Sequence, residues 1–174
     1  MHLQLENFLS LESNSELIKL AILSEKSFVP TNTATNEPDY RESAVLYQFP
    51  SELVTDKVAT VIADVTKRLG MELFEASQIE AQLTAHNDGC YYRIHNDNGS
   101  PDTANRCITY VYYFYTEPKG FTGGELVIGE EKVEPINNSI VFFDSGLQHQ
   151  VLSISCPSRL HWNGRFTVNG WIRG

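Results

Sequence analysis

The sequence predicts a mainly β protein with flanking helices: a double-stranded β-helix, or jelly roll, with N-terminal helices packed on one sheet. Three observations carry this. Helical periodicity is confined to the first part of the chain, up to about residue 75. From about residue 77 to 174 short β segments follow one another. Each of these is bounded by Gly, Asn, Pro or Asp. Helices first and then seven or eight short strands is the order of helices laid on a double-sheet jelly roll. A generic β-sandwich is the alternative. The 174 residues suffice for one domain with its own core, so residues 1–174 are read as a single domain.

Taken in order, Ser13 to Leu23 places Leu17, Leu20 and Ala21 at helical spacing, with Ser13 or Ser15 as N-cap. Thr31 to Tyr40 is polar and reads as a loop. Ser51 to Leu69 is the clearest helix. Leu53, Val54, Val58, Val61, Ile62, Val65 and Leu69 form one apolar stripe, and Gly70 is a suitable stop. Ile79 to Ala85 alternates as a strand, and Asp88-Gly89 is a turn signal. Tyr91 to Asp97 is the next strand, followed by a polar loop from Asn98 to Asn105. Cys107 to Tyr115 is rich in aromatic and β-branched residues. Gly124 to Ile128, Ser139 to Phe143, His149 to Ile154 and Arg165 to Ile172 complete the strands.

Composition narrows the function. The net charge of −9, without clusters of Lys and Arg, argues against a nucleic-acid backbone as partner and weakly favours a neutral or basic one. No apolar run has transmembrane length. The N-terminus has Glu6 where a signal peptide is cationic, so a cytoplasmic protein is expected. Cys90, Cys107 and Cys156 lack the close spacing of a disulfide framework or zinc motif. They read as small hydrophobes in a reducing compartment.

The chemistry concentrates in His95-Asn96-Asp97, His149 and Arg165. On a strand, successive side chains alternate faces, so His95 and Asp97 project together, their Cα atoms roughly 6.5 Å apart. Both then reach one ion at about 2.1 Å. His149 completes the set only through tertiary structure. Two His and one carboxylate on one octahedral face leave three positions open, which suits Fe(II) that must bind a cosubstrate and O₂ together. His86-Asn87-Asp88 repeats the same letters. It is rejected because Asp88-Gly89 reads as a turn, giving neither same-face geometry nor burial. His161 reads as loop.

Arg165 opens an alternation in which Arg165, Thr167, Asn169 and Trp171 share one face while Phe166, Val168 and Ile172 occupy the other. If the polar face lines the interior, the guanidinium needs an anion, and its fork grips a carboxylate bidentately. 2-Oxoglutarate satisfies this, with its keto-acid end on iron. The plainer reading is a surface arginine or one paired with Glu125 or Asp144. Arg159, in a loop, is the rival.

Together these residues resemble the prolyl 4-hydroxylase-like branch of the Fe(II)/2-oxoglutarate-dependent dioxygenases. The blocks are Tyr92 to Asn98, Arg106 to Tyr113, Gly123-Gly124-Glu125-Leu126, Ser139 to Phe143, His149-Gln150-Val151 and Arg165 to Trp171, in the family's order. Asp39-Tyr40-Arg41 and Ile79 to Leu83 are similar to small bacterial members. The resemblance implies a jelly-roll fold and iron ligands at His95, Asp97 and His149. It implies Arg165 and Tyr113 on the cosubstrate, and Tyr92, Trp171 and Arg106 near the substrate. It also implies Fe(II), 2-oxoglutarate and O₂ as the reacting groups, with ascorbate as reductant. The implied reaction hydroxylates a C–H bond and releases succinate and CO₂. The substrate is first a prolyl residue in a peptide or protein, then a free or carrier-bound amino acid, then a small metabolite. The chain departs from the family pattern in three places. Ser155 to Asn163 looks inserted, Thr84-Ala85 stands where several prolyl hydroxylases have a tyrosine, and the Ile128–Val133 hairpin is short. The carboxylate of Asp97 favours hydroxylation, because related halogenases lose it. Other classes that the residues allow are a jelly-roll binding module without catalysis and a cupin-like metalloenzyme without 2-oxoglutarate. The Asn98–Asn105 loop is a candidate lid.

Overall fold

The computed structural model describes residues 1–31 and 41–174; beyond Thr31, the loop expected up to Tyr40 lies outside the described residues. The chain opens with strand β1 (His2–Glu6) and helix α1 (Leu11–Leu23), then β2 (Val29–Pro30), β3 (Arg41–Glu42), β4 (Ala44–Leu46) and helix α2 (Glu52–Arg68). Ten strands follow: β5 (Gln78–His86), β6 (Tyr91–His95), β7 (Arg106–Phe114), β8 (Thr122–Gly123), β9 (Leu126–Ile128), β10 (Glu131–Val133), β11 (Ser139–Asp144), β12 (His149–Val151), β13 (Ile154–Ser155) and β14 (Arg165–Arg173).

Two sheets form the body. The larger runs β1-β11-β7-β14-β5-β4-β2 and the smaller β10-β9-β12-β6-β3, with β13 and β8 as a separate pair. The predicted mainly-β fold with flanking helices is thus present. The first third differs in detail, because it supplies strands to both sheets as well as two helices. In β1 the period-two pattern turns Leu3 and Leu5 toward the core, a signal too short to stand out beside the helical pattern that follows.

Alternation in the larger sheet separates its two faces. Tyr110, Tyr112 and Phe114 of β7, Phe142 of β11 and Phe166, Val168 and Ile172 of β14 share one core with Leu17 and Ala21 of α1 and Val54, Val58 and Val65 of α2. The intervening residues of these strands point the other way, toward the smaller sheet, where Tyr113, Val141 and Phe143 meet Leu126, Ile128 and Val133. The helices therefore hold one face dry, and the polar alternates are directed between the sheets.

Helix α1 begins earlier than expected. Ser10, rather than Ser13 or Ser15, caps it, accepting from the Ser13 backbone N–H at 3.1 Å. Removing such a cap typically destabilises by about 1 kcal/mol. α2 follows the predicted stripe, and Gly70 past its end takes the left-handed conformation, φ +70°, that favours glycine. Strand β6 ends at His95, so Asp97 is not on it. The Asn98–Asn105 stretch contains a 3₁₀ turn, Pro101–Thr103, closed by a capping box between Ser100 and Thr103. Among the described residues, no helix is long and apolar enough to cross a membrane.

Candidate active site

His95 closes β6 and His149 opens β12, and the antiparallel register sets them directly opposite one another. Their ring centroids are 4.2 Å apart. His95 Nδ1 lies 2.7 Å from the Arg93 carbonyl and His149 Nδ1 2.9 Å from the Leu147 carbonyl. A carbonyl only accepts, so both Nδ1 atoms carry the proton and both Nε2 atoms present a lone pair. Those two Nε2 atoms lie 3.7 and 3.4 Å from the Asp97 carboxylate oxygens. All three ligand atoms fall within 4.8 Å of one another. Ligands about 2.1 Å from an ion and at right angles are about 3 Å apart, so a small contraction closes the set. Burial and the neighbouring His149 lower the His95 pKa, while Asp97 acts to raise it; the imidazole is neutral at pH 7, the form a metal needs.

Asp97 reaches this position by a route other than strand alternation. Its N–H donates to the Ser145 carbonyl at 2.9 Å, and its carbonyl accepts from Arg106 Nη1 at 3.4 Å. Its Oδ2 accepts from the Thr109 hydroxyl at 2.8 Å. Ser145 Oγ is 2.9 Å from the same Thr109 oxygen, and with that proton committed to Asp97, Ser145 is the donor. A buried Thr–Ser relay from the larger sheet thus aims the carboxylate at the two histidines of the smaller one. Thr109→Val keeps the volume and removes the hydroxyl. Metal affinity, read by titration with Mn(II), is expected to fall about 10–100-fold; unchanged affinity would show that the relay does not orient Asp97.

The triad opens onto a cavity of about 750 Å³, within the size of small-molecule sites. Arg165, Tyr113, Asn169 and Trp171 line it from the larger sheet and Tyr92, Leu126 and Val151 from the smaller. Arg165 is 1% exposed. Its Nη1 donates to the Gly124 carbonyl, and among the described residues its Nε has no partner. No ion pair joins it to Glu125 or Asp144; Glu125 acts on it only at range. Burial pulls its pKa down, with Tyr113 opposing. The Tyr113 hydroxyl is also buried without a partner, and burial pushes its pKa to about 12, Arg165 counteracting, so it stays a phenol able to donate. Buried polar groups are nearly always satisfied. An unpartnered guanidinium N–H and phenol in one cavity are what a carboxylate-bearing ligand would complete.

A profile of the 2OG-Fe(II) oxygenase superfamily matches residues 81–173, the stretch that carries the triad, Arg165 and Tyr113. The chain belongs to that superfamily. A PKHD-type hydroxylase of Synechocystis sp., itself uncharacterized, is 46% identical over 98% of the chain, and the chain spans 62% of that relative's length. Among solved structures, a prolyl-4-hydroxylase of Pseudomonas putida superposes with a TM-score of 0.71 at 21% identity, covering 99% of this chain and 91% of that one. The collagen prolyl hydroxylase of Paramecium bursaria Chlorella virus-1, in complex with 2OG, gives 0.69 at 22% identity, covering 99% and 96%. At that identity the likeness establishes the fold, a jelly roll.

For a 2OG-Fe(II) oxygenase the donor set is apt. Two imidazoles and one carboxylate suit Fe(II), and the unpartnered Arg165 and Tyr113 atoms suit the distal carboxylate of 2-oxoglutarate. The other residues anticipated around the substrate also line the cavity. Tyr92 stacks on His95 with centroids 3.6 Å apart, and Arg106 lies 3.7 Å over the Trp171 ring, whose Nε1 is buried without a partner among the described residues. Arg106 donates to Glu80 at 3.0 and 2.6 Å, a carboxylate that Arg173 shares. Gly99, Ser100 and Thr103 border the cavity, and Arg173 ties this loop down through Asp102 and Asn105.

One expectation is corrected. The turn signal at Asp88-Gly89 predicts an unburied turn that includes His86. His86 ends β5 opposite Arg165 and is 4% exposed, its Nδ1 lacking a partner among the described residues; the turn begins only at Asn87. It lines the cavity but is not one of the clustered ligands. Burial, then the charges of Arg165 and Arg41, hold its pKa well below 6.5, so it is neutral. Arg159 is exposed and pairs with Asp88 at 3.1 Å, away from the cavity. His161 lies in a 3₁₀ turn, its Nε2 3.0 Å from the Ala21 carbonyl, where it fastens α1. Sequence reasoning missed Thr109, Ser145 and Arg41 as site residues. Of these, Arg41 and Thr109 fall in blocks of resemblance, Asp39-Tyr40-Arg41 and Arg106 to Tyr113, which give them no role.

Proposed function

We propose that the chain is an Fe(II)- and 2-oxoglutarate-dependent dioxygenase that hydroxylates an unactivated C–H bond. The favoured substrate is a prolyl or other amino-acid residue in a peptide, protein or carrier-bound molecule. One observation supports this above the rest: the triad and an unpartnered buried arginine share a single cavity. A binding module has no use for three convergent ligands beside an anion clamp, and a metalloenzyme without 2-oxoglutarate has no use for the clamp.

When bound, Fe(II), 2-oxoglutarate and O₂ supply the oxidation, which yields succinate, CO₂ and a hydroxyl on the substrate carbon. The chain supplies placement and exclusion of water. His95 and His149 offer Nε2 lone pairs fixed by their Nδ1–H bonds. Asp97 offsets the positive charge of the metal. Arg165 and Tyr113 hold the far carboxylate of the cosubstrate and so fix which end faces the metal. Tyr92, Trp171 and Arg106 form the walls beside which the substrate C–H is presented.

The test incubates purified protein with Fe(II), ascorbate and 2-oxoglutarate, together with prolyl peptides or pools of amino-acid derivatives and metabolites. Succinate formation coupled to the gain of one oxygen in a substrate is the expected result. A protein that neither binds 2-oxoglutarate nor forms succinate with any pool would overturn the reading.

A further inference from the structure

The cavity carries the opposite sign to the chain around it. The chain has a net charge of −9, yet among the described residues the Lys, Arg, Asp and Glu side chains lining the cavity are Arg41, Arg106, Arg165 and Asp97. Three of them have assignments. Arg106 pairs with Glu80, a carboxylate that Arg173 shares, while Arg165 is assigned to the cosubstrate and Asp97 to the metal. Arg41 remains.

Arg41 sits on β3, the outer strand of the smaller sheet, in register with Tyr92 of β6. Its guanidinium carbon is 4.8 Å from the Tyr92 ring centroid, and that ring stacks in turn on His95. The cation therefore caps an aromatic column whose far end is a metal ligand. Its Nε donates to Ser43 Oγ at 2.9 Å, which fixes the plane of the fork. Among the described residues, Asp97 is the one carboxylate whose charge reaches it, and that charge is spent on the metal. Burial lowers the Arg41 pKa, with Tyr92, Asp97 and Tyr47 opposing. A guanidinium held in a partly desolvated cavity gains most from a bidentate anion. Arg165 and Tyr113 belong to the other sheet, so the two guanidiniums enter the cavity from different sheets.

We propose that Arg41 docks an anionic group of the primary substrate, a carboxylate, phosphate or sulfate, beside the C–H bond to be hydroxylated. This rests on the hydroxylase reading and names its substrate class: an acidic molecule rather than a neutral one. The group belongs either to a small metabolite or to an acidic or phosphorylated residue of a peptide, and the test separates the two.

An extract of the organism that carries the gene is split by anion exchange into retained and flow-through material. Each part is divided by ultrafiltration into small and macromolecular fractions. Succinate release is measured with wild type, Arg41→Gln and Arg41→Lys, and 2-oxoglutarate affinity is measured on the Mn(II)-loaded proteins. The retained material is expected to stimulate wild type, and the active size fraction identifies the source. Arg41→Gln should lower stimulation at subsaturating substrate by about 10- to 100-fold, with partial recovery in Arg41→Lys and 2-oxoglutarate affinity kept within about twofold. Stimulation by flow-through material, an unaffected Arg41→Gln, or a variant that loses 2-oxoglutarate instead would each overturn the proposal. If wild type fails to bind 2-oxoglutarate, the hydroxylase reading falls first. If it binds 2-oxoglutarate and ignores the retained material, only the anion assignment falls.

Discussion

Asp97→Ala is expected to abolish turnover and to weaken Mn(II) binding beyond the 10–100-fold typical of a lost outer-shell partner. Two effects add. The octahedral face loses one of its three ligands. The cavity also loses the carboxylate nearest the metal while Arg41, Arg106 and Arg165 stay in place, so a dication must enter a site whose positive local charge has risen by one. His95→Ala removes a ligand without that charge change and should likewise stop turnover. His86→Ala is the informative contrast. His86 lines the same cavity but lies outside the ligand cluster, so its loss should leave Mn(II) affinity within about twofold, a shift small beside the cost of a lost ligand. Titration calorimetry with Mn(II) on the three variants decides the matter. Metal bound equally well by Asp97→Ala would remove the triad from consideration.

Arg165→Met is expected to change stability and binding in opposite directions. The guanidinium is almost wholly buried, without a carboxylate partner among the described residues. Burying such a charge costs several kcal/mol, more than the roughly 1 kcal/mol lost with its bond to the Gly124 carbonyl. The cosubstrate-free variant should therefore unfold at a higher temperature, by about 2–4 °C for each kcal/mol recovered. Binding moves the other way. Truncating one side of a buried, hydrogen-bonded charge pair costs about 2–5 kcal/mol, which raises the 2-oxoglutarate Kd from about 30-fold to several thousandfold. Cosubstrate at 100 times its Kd should stabilise the metal-loaded wild type by about 2.7 kcal/mol, and at the same concentration this gain should fall below about 1 kcal/mol in the variant. Thermal melts with and without 2-oxoglutarate measure both effects. A variant that still responds to 2-oxoglutarate like wild type would show that the carboxylate is held elsewhere.

Much of this site was legible in the sequence, though partly through an incomplete argument. His95, Asp97 and His149 meet, and the alternation of β14 does send Arg165, Asn169 and Trp171 to the cavity while Phe166, Val168 and Ile172 meet the helices. Strand alternation, however, does not place Asp97, because β6 has ended by then. Backbone bonds to Ser145 and Arg106 and the Thr109 hydroxyl place it, and these come from outside its own strand, across a loop or from a later strand end. A threonine and a serine in β-rich segments have no local pattern that marks them as carboxylate-orienting groups. His86 shows the reverse error. A turn signal at Asp88-Gly89 was extended one residue too far, and a buried histidine on the last position of a strand was read as exposed. Arg41 was hidden because its environment is set by pairing with β6, a contact that no periodicity within its own short strand announces.

The Thr109–Ser145 relay has a mechanical consequence. Both histidine ligands belong to the smaller sheet, whereas Asp97 is tied to Ser145 and, through Thr109, to the larger one. A metal ion coordinated by all three is therefore a rivet between the two layers at the open end of the sandwich. Its binding energy adds to the cohesion of the fold as well as to the chemistry. Loss of iron would then do more than silence the enzyme. It would also release the two sheets from one another at this point, so that metal status and the shape of the cavity between them are governed by the same three side chains.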